Sequence, residues 1–322
     1  MEIREYLIRR ILFVIPVTIA VSVLVFALMH AVGDPVQIML ANNPAISQDM
    51  IAHLQSYYGL DKPVWYQYLI WLWDLIHLNW GVSIYFQTSV STIVVDAFWQ
   101  SLKLQSVSLL LAVVVAIPVG VEAAAKQYSV TDTTAEILSV SGLSIPPFWL
   151  GLLLIIVFAF WIPLFPAAGA SAPIPLQGFA ALVDELKHMV LPTFVLFVQF
   201  VALYVRLIRS SMLEILRQDY ILAAKASGLS RMRVLYKHGL RNALIPLVTY
   251  TGLYVGLSIT SAPVTESVFA WPGLGYRFYF AVYRLDFPVI MAITMVMTLM
   301  VLGANLMTDF AYTIVDPRIK LK

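Results

Sequence analysis

The residues able to do chemistry in this chain are few. The densest polar group lies between Asp219 and Pro246, in DYILAAKASGLSRMRVLYKHGLRNALIP, and brings together Lys225, Arg231, Arg233, Lys237 and Arg241. Such a group can pair with an acidic surface. It is too short for a nucleic-acid patch and lacks a series of stacking aromatics, so no nucleic-acid partner is expected. The five histidines (His30, His53, His77, His188 and His238) are scattered and read as interfacial polar residues. No H-E-x-x-H or comparable ligand cluster occurs, so no metal site is expected. The chain has no Cys, which excludes disulfides, thiol catalysis and cysteine metal sites. It lacks a G-x-x-x-x-G-K-[ST] loop, so it does not itself cradle nucleotide phosphates. Ser141 and Ser144 have no His, Lys or Asp evidently poised as a base. No catalytic residue is expected, and the chain does not read as an enzyme.

The elements that carry these residues are mostly apolar. Charged residues make up 12% of the chain and hydrophobic ones 61%, with mean hydropathy +0.85. Soluble domains carry roughly 25% charge, so lipid is part of the solvent here. A span needs about 20 mostly apolar residues, because lipid offers the backbone no hydrogen-bond partner. Six such stretches occur, near 10–30, 104–125, 141–162, 189–208, 246–268 and 289–313. The expected fold is therefore an all-α integral membrane protein with six transmembrane helices. The N-terminus is basic (Arg4, Arg9, Arg10) and then apolar from Ile11 to Met29. That run exceeds the 7–15 residues of a cleavable signal, so an uncleaved first span is expected.

Three regions follow from these spans. Residues 1–30 form the N-terminal segment and first span. Residues 31–103 form a long loop rich in aromatics (Trp65, Tyr66, Tyr68, Trp71, Trp73, Trp80). Residues 104–322 form a core with five spans. Of the 20 Lys and Arg residues, 15 lie on the side shared by the N-terminus, the second and fourth loops and the tail. The positive-inside rule then places both termini in the cytoplasm and the first, third and fifth loops outside. Span centres are free of charge, and no matching pair of interrupted half-helices is evident in the sequence. Both points weigh against an ion-coupled secondary transporter. Gly252, Gly256, Ser258 and Pro263 mark the fifth span as a candidate pathway wall, though helix packing is the simpler explanation of such residues.

The basic insert reads as two helices. Tyr220–Ser227 is a good helix former, and Gly228 suits a left-handed C-terminal position. Ser230 suits the N-cap of a second helix from Arg231. Met232, Leu235, Tyr236 and Leu240 recur at helical spacing as its apolar face. Pro246 then reads as the first turn of the fifth span. Such a helix–hinge–helix can present side chains to a partner's groove, or it can be a solvated loop.

Ala223-Ala224-x-x-x-Gly228 resembles the "EAA" loop of ABC importer permeases, E-A-A-x3-G-x9-I-x-L-P. Leu222 stands where that pattern has Glu, and His238-Gly239-Leu240-Arg241 stands where it has I-x-L-P. The chain is most similar to the dipeptide/oligopeptide/nickel branch of those permeases. An ordered set of motifs carries the resemblance over nearly the full length. It comprises Gly33-Asp34-Pro35, Tyr58-Gly59-Leu60-Asp61-Lys62-Pro63, Ser144-Ile145-Pro146-Pro147-Phe148-Trp149-Leu150-Gly151, Arg241-Asn242-Ala243-Leu244-Ile245-Pro246, Glu266-Ser267-Val268-Phe269-Ala270-Trp271-Pro272-Gly273-Leu274-Gly275 and Asp316-Pro317-Arg318.

The resemblance implies a type I ABC importer permease fold in the cell membrane, with a cytoplasmic coupling helix in the 219–246 loop. It implies a second permease subunit, two ATPase subunits and an extracytoplasmic substrate-binding protein as partners, all beside membrane lipid. ATP and Mg would be bound by the ATPases, leaving this chain without a cofactor. Ala223, Ala224, Lys225, Gly228, Leu229, Ser230, Arg231 and Arg233 would make the ATPase contact. Peptides are the substrate that the branch suggests first, with sugars, oligosaccharides or nickel as alternatives.

Overall fold

A computed structural model describes residues 3–33, 61–174 and 176–315, and the regular elements among them are all helical. The motif residues Asp34, Pro35, Tyr58, Gly59, Leu60, Asp316, Pro317 and Arg318, together with His53, lie outside the described residues. Among the described residues, four helices are long and apolar enough to cross a membrane, and five if one bent pair counts as a span. They belong to α1 (Ile3–Val32), α3 (Val90–Ala125), α6 (Gly178–Ile215) and α11 (Phe287–Val315). A further helix, α8 (Leu240–Ser261), has 22 residues and overlaps the fifth expected span. At 1.5 Å per residue it reaches about 33 Å, enough for a hydrocarbon core. Six spans are consistent with this arrangement.

The bundle is built around α3 and α6. Ala112, Ala116, Gly120 and Ala123 of α3 are buried, as are Tyr204, Ile208 and Met212 of α6. A methyl group placed on Gly120 would stand 2.9 Å from Ile208, so only glycine permits this approach. Helix α3 begins at Val90, well before the expected 104. Its first turns are buried with the start of α11, where Val90, Val94 and Ala97 cluster with Phe287, Val289 and Ile293. A hydropathy window misses that extension because Asp96, Gln100 and Lys103 dilute it. Helix α1 packs Val25 and Phe26 against Met291 and against Tyr68 and Trp71 of α2 (Val64–Ile76). The aromatic loop is therefore partly helical.

The third span is not straight. Helix α4 (Val130–Ser144) and helix α5 (Pro147–Ile155), prolonged by a π-helical turn Ile156–Trp161, meet at 94°. Pro146 and Pro147 have no N–H, so the carbonyls of Gly142 and Leu143 cannot be bonded in helical register. Gln199 of α6 takes over: its Nε2 donates to the carbonyls of Gly142 (3.0 Å) and Ile145 (3.1 Å).

Two other expectations are corrected. Pro246 does not open the fifth span but lies inside α8. No break separates it from the insert, because Gly239 stays right-handed (φ −80, ψ −61). Helix α8 instead ends at Ser261, and Pro263 opens a separate short helix, α9 (Pro263–Val268). With the bent third span, this makes two interrupted elements, where the sequence showed no matching pair of interrupted half-helices.

Candidate functional site

The basic insert occupies the end of the bundle where α3 and α6 finish. Helix α7 (Asp219–Ala226) has Asp219 in its first turn and Lys225 in its last, each favourable to the helix dipole. Ile221 is fully buried and anchors it. Ser227 closes the helix, its amide bonding the Ala223 carbonyl at 2.9 Å. Gly228 follows in the left-handed region at φ +76, its amide 3.1 Å from the Lys225 carbonyl. The expected hinge is present. The next helix starts at Arg231, and the Ser230 carbonyl accepts from the Val234 amide at 3.0 Å.

From Arg233 to Gly239 this second helix is π-helical, and it runs directly into α8. The wider turn shifts its apolar face. Val234, Leu235, Gly239 and Leu240 are buried at spacings of five, whereas Met232, expected on that face, is 63% exposed. Asn242 Nδ2 donates to Tyr220 Oη at 2.8 Å and ties the two helices together.

The insert is wired to its neighbours by charge. Arg231 Nη2 lies 3.6 Å from Glu122 Oε1 at the end of α3, and Lys126 Nζ lies 2.5 Å from the same oxygen. Nearby, Arg209 of α6 grips Asp132 of α4, Nε to Oδ1 at 2.5 Å and Nη2 to Oδ2 at 3.0 Å. Asp132 is buried and also accepts from the Tyr128 amide at 2.9 Å. Three helix ends are thus clamped beside the insert.

Of the expected contact residues, Ala223, Lys225, Gly228, Ser230, Arg231 and Arg233 are exposed, and Ala224 and Leu229 half-buried. Leu222, 52% exposed, adds an apolar edge to the same surface. A surface of cations edged by Leu222 and Met232 suits a docked protein. Arg231 is already shared with Glu122.

The expected pathway residues are spread differently. The backbones of Gly252, Gly256 and Ser258 lie in α8, and their side chains are outside the described residues. Pro263 opens α9 and abuts Gly275 so closely that a methyl there would collide with it. It belongs to a cap formed by α9 and α10 (Leu274–Arg284) between α8 and α11.

Glu266 organises that cap. It is fully buried, and its Oε1 accepts from Ser101 Oγ of α3 at 2.6 Å. Its Oε2 accepts from the amides of Gly275 (2.8 Å) and Tyr276 (3.1 Å) at the start of α10. A second buried carboxylate, Asp286, holds the turn before α3, accepting from Ser83 Oγ (2.5 Å) and the Ile84 amide (3.1 Å). Sequence reasoning missed the Glu266, Asp286, Asp132 and Gln199 contacts. Each joins residues far apart in the chain. Among the described residues no group of three or more His, Asp or Glu comes together as a metal site.

Two family models match the chain. The description "Binding-protein-dependent transport system inner membrane component" covers residues 116–321, and the corresponding N-terminal membrane component covers residues 3–104. The chain is 40% identical to the dipeptide transport system permease protein DppB of Escherichia coli (strain K12), over 99% of each chain. It is 40% identical to the oligopeptide transport system permease protein AppB of Bacillus subtilis (strain 168), over 98% of this chain and 99% of that one. A di/tripeptide transport system permease protein of Pseudomonas aeruginosa (strain UCBPP-PA14) is 36% identical, over 98% of each.

Proposed function

The chain belongs to the family of binding-protein-dependent transport system inner membrane components, and from that membership we propose that it is the permease subunit of an ATP-driven importer of dipeptides and oligopeptides. The substrate class rests on the relatives, three of which are named for dipeptides, oligopeptides or di/tripeptides. These names favour peptides over sugars or nickel. The Lys and Arg asymmetry favours the basic end, with both termini, as the cytoplasmic one.

The complex is then completed by a second permease, two cytoplasmic ATPases that bind ATP and Mg, and an extracytoplasmic binding protein. Bond-making chemistry belongs to the ATPases, and this chain converts their closure into movement of its spans.

One observation carries this role. The exposed insert is not a floppy loop. Beyond Gly228 its second helix continues through the π-helical turn into α8 without a break. A push on Arg231 or Arg233 is therefore delivered along a rigid element toward the membrane, and one on Ala223 or Ala224 reaches it through the bond from Asn242 to Tyr220. Glu122, Asp132 and Arg209 hold the neighbouring helix ends in place. Alternation between outward and inward access follows when α8 moves against α3 and α6.

The test is reconstitution of the chain with its partners in proteoliposomes. Dipeptide uptake should need ATP and the binding protein together. Uptake that survives ATP depletion would overturn the proposal in favour of an ion-coupled carrier.

A further inference from the structure

The bend in the third span lies near the middle of the bundle. Gln199, which holds it, stands close to the midpoint of Gly178–Ile215, the longest helix among the described residues. At that depth the chain exposes polar backbone. Pro146 and Pro147 remove two donors, and Gln199 serves only Gly142 and Ile145. Among the described residues no protein donor reaches the carbonyls of Leu143 and Ser144. Ser141 and Ser144 are exposed beside them, and Phe148 and Trp149 just past the break are each 49% exposed.

Unpaired main chain at mid-membrane is not stable against lipid, where each such group costs several kcal/mol. It is tolerated only where protein buries it or where it lines a water-filled space. Among the described residues nothing buries it, and Leu143 and Ser144 are exposed. A cavity lies between α4 and α6 on the basic side of the bend. Gln199, Arg206 and Ser210 recur at i, i+7 and i+11 on one face of α6. Arg206 and Ser210 border a cavity of about 230 Å³ with Glu136 and Ser139 of α4. Polar side chains thus lie on the same face of α6 both at the break and beside this cavity.

We infer that the bent third span lines the substrate route, and that the free carbonyls of Leu143 and Ser144 offer hydrogen bonds to the main-chain N–H groups of a passing peptide. Main-chain donors are common to all peptides, so such contacts serve substrates of many sequences. The peptide part of this inference rests on the function proposed above. Gln199 is the positioning residue: it keeps the break open by satisfying the carbonyls that would otherwise pull the segment toward another fold.

The chain's lack of cysteine makes it a ready background for thiol labelling. Ser141→Cys, Ser144→Cys and a lipid-facing control, Leu110→Cys on α3 (Leu110 is 66% exposed), are each assembled with the partner subunits in membrane vesicles. A charged, membrane-impermeant thiol reagent is applied with and without ATP, binding protein and a dipeptide. The Ser144→Cys chain should be modified roughly tenfold faster or more than the control in at least one nucleotide state, because the reactive thiolate needs water. Dipeptide under transport conditions should slow that reaction. If Ser141→Cys and Ser144→Cys react no faster than the control in every state while the unlabelled complex still imports dipeptide, the inference is overturned and the proposed function stands. If Ser144→Cys reacts quickly but the complex imports no dipeptide, the aqueous route stands and the peptide assignment is overturned.

Discussion

Ser101 and Glu266 stand 165 residues apart in the chain and 2.6 Å apart in the fold. The serine hydroxyl donates to the Glu266 carboxylate and accepts from the Leu274 amide at 2.8 Å. One small side chain on α3 therefore fastens both short helices of the cap. Trp271, fully buried, adds a second fastening by donating from Nε1 to the Gln100 carbonyl at 3.1 Å. Movement of α3 relative to α8 must carry this cap with it.

Removing Glu266 should loosen the cap. Glu266→Ala strands the Ser101 hydroxyl and the Gly275 and Tyr276 amides, at roughly 1–3 kcal/mol for each buried group left unpaired. Glu266→Gln keeps one carbonyl acceptor and should lose less. Thermal melting of the purified complex should rank the native chain above Gln, and Gln above Ala. Gly273→Ala should also destabilise, since its methyl would press into the Glu266 carboxyl.

Much of this was legible in the sequence, for reasons that particular residues make plain. The spans show because lipid demands apolar runs, and Gly228 shows because only a residue without Cβ sits easily at φ +76. The bend at Ile145 was half legible. Pro146-Pro147 announces a break, but hydropathy measures composition and not direction. Gln199, which stabilises that break from another helix, carries no local signal. Pro246 misled because first-turn proline is a common pattern, while the π-helical turn ahead of it moves the helix start upstream. The Glu266–Ser101 and Asp132–Arg209 bonds are tertiary facts, invisible to any window.

Asp132 and Arg209 form the clamp beside the insert. Asp132→Ala leaves Arg209 facing only Glu136 at 3.5 Å. Breaking a buried ion pair costs about 3–5 kcal/mol, and the partial exposure of Arg209 places this case at or below the lower end. Arg209→Lys keeps the charge but loses the two-pronged contact, so it should also destabilise. The level of assembled complex in membranes should fall for both variants. The double variant should be less damaging than the sum of the two, as expected for groups that act on each other.

Gln199 offers a test of the bend that is independent of thiol labelling. Gln199→Leu conserves bulk but strands the Gly142 and Ile145 carbonyls, at roughly 1–3 kcal/mol each. Peptide uptake per assembled complex should fall sharply, with ATP hydrolysis at the basic end less affected. Gly142→Val should disturb the same place by steric means, because even a methyl there would stand 2.9 Å from the Ala202 side chain. Full uptake by Gln199→Leu would show that the bend holds without it.

Gly228 isolates coupling from packing. No heavy atom lies within 4 Å of a methyl built on it, so a substitution meets no clash and acts through the backbone alone. At φ +76 an ordinary L-residue costs about 1–2 kcal/mol, and a β-branched one is the worst suited. Gly228→Asn should be tolerated, since asparagine accepts the left-handed region. Gly228→Val should turn the hinge and misdirect Ala223 and Ala224 relative to α8, against the bonds that tie Arg231 to Glu122 and Asn242 to Tyr220. The complex should then still assemble and hydrolyse ATP, while uptake per ATP falls several-fold, the loss expected from about 1–2 kcal/mol of displaced equilibrium. Uptake and hydrolysis measured on the same proteoliposomes give the ratio directly. Normal uptake by the valine variant would mean that the insert does not act as a lever.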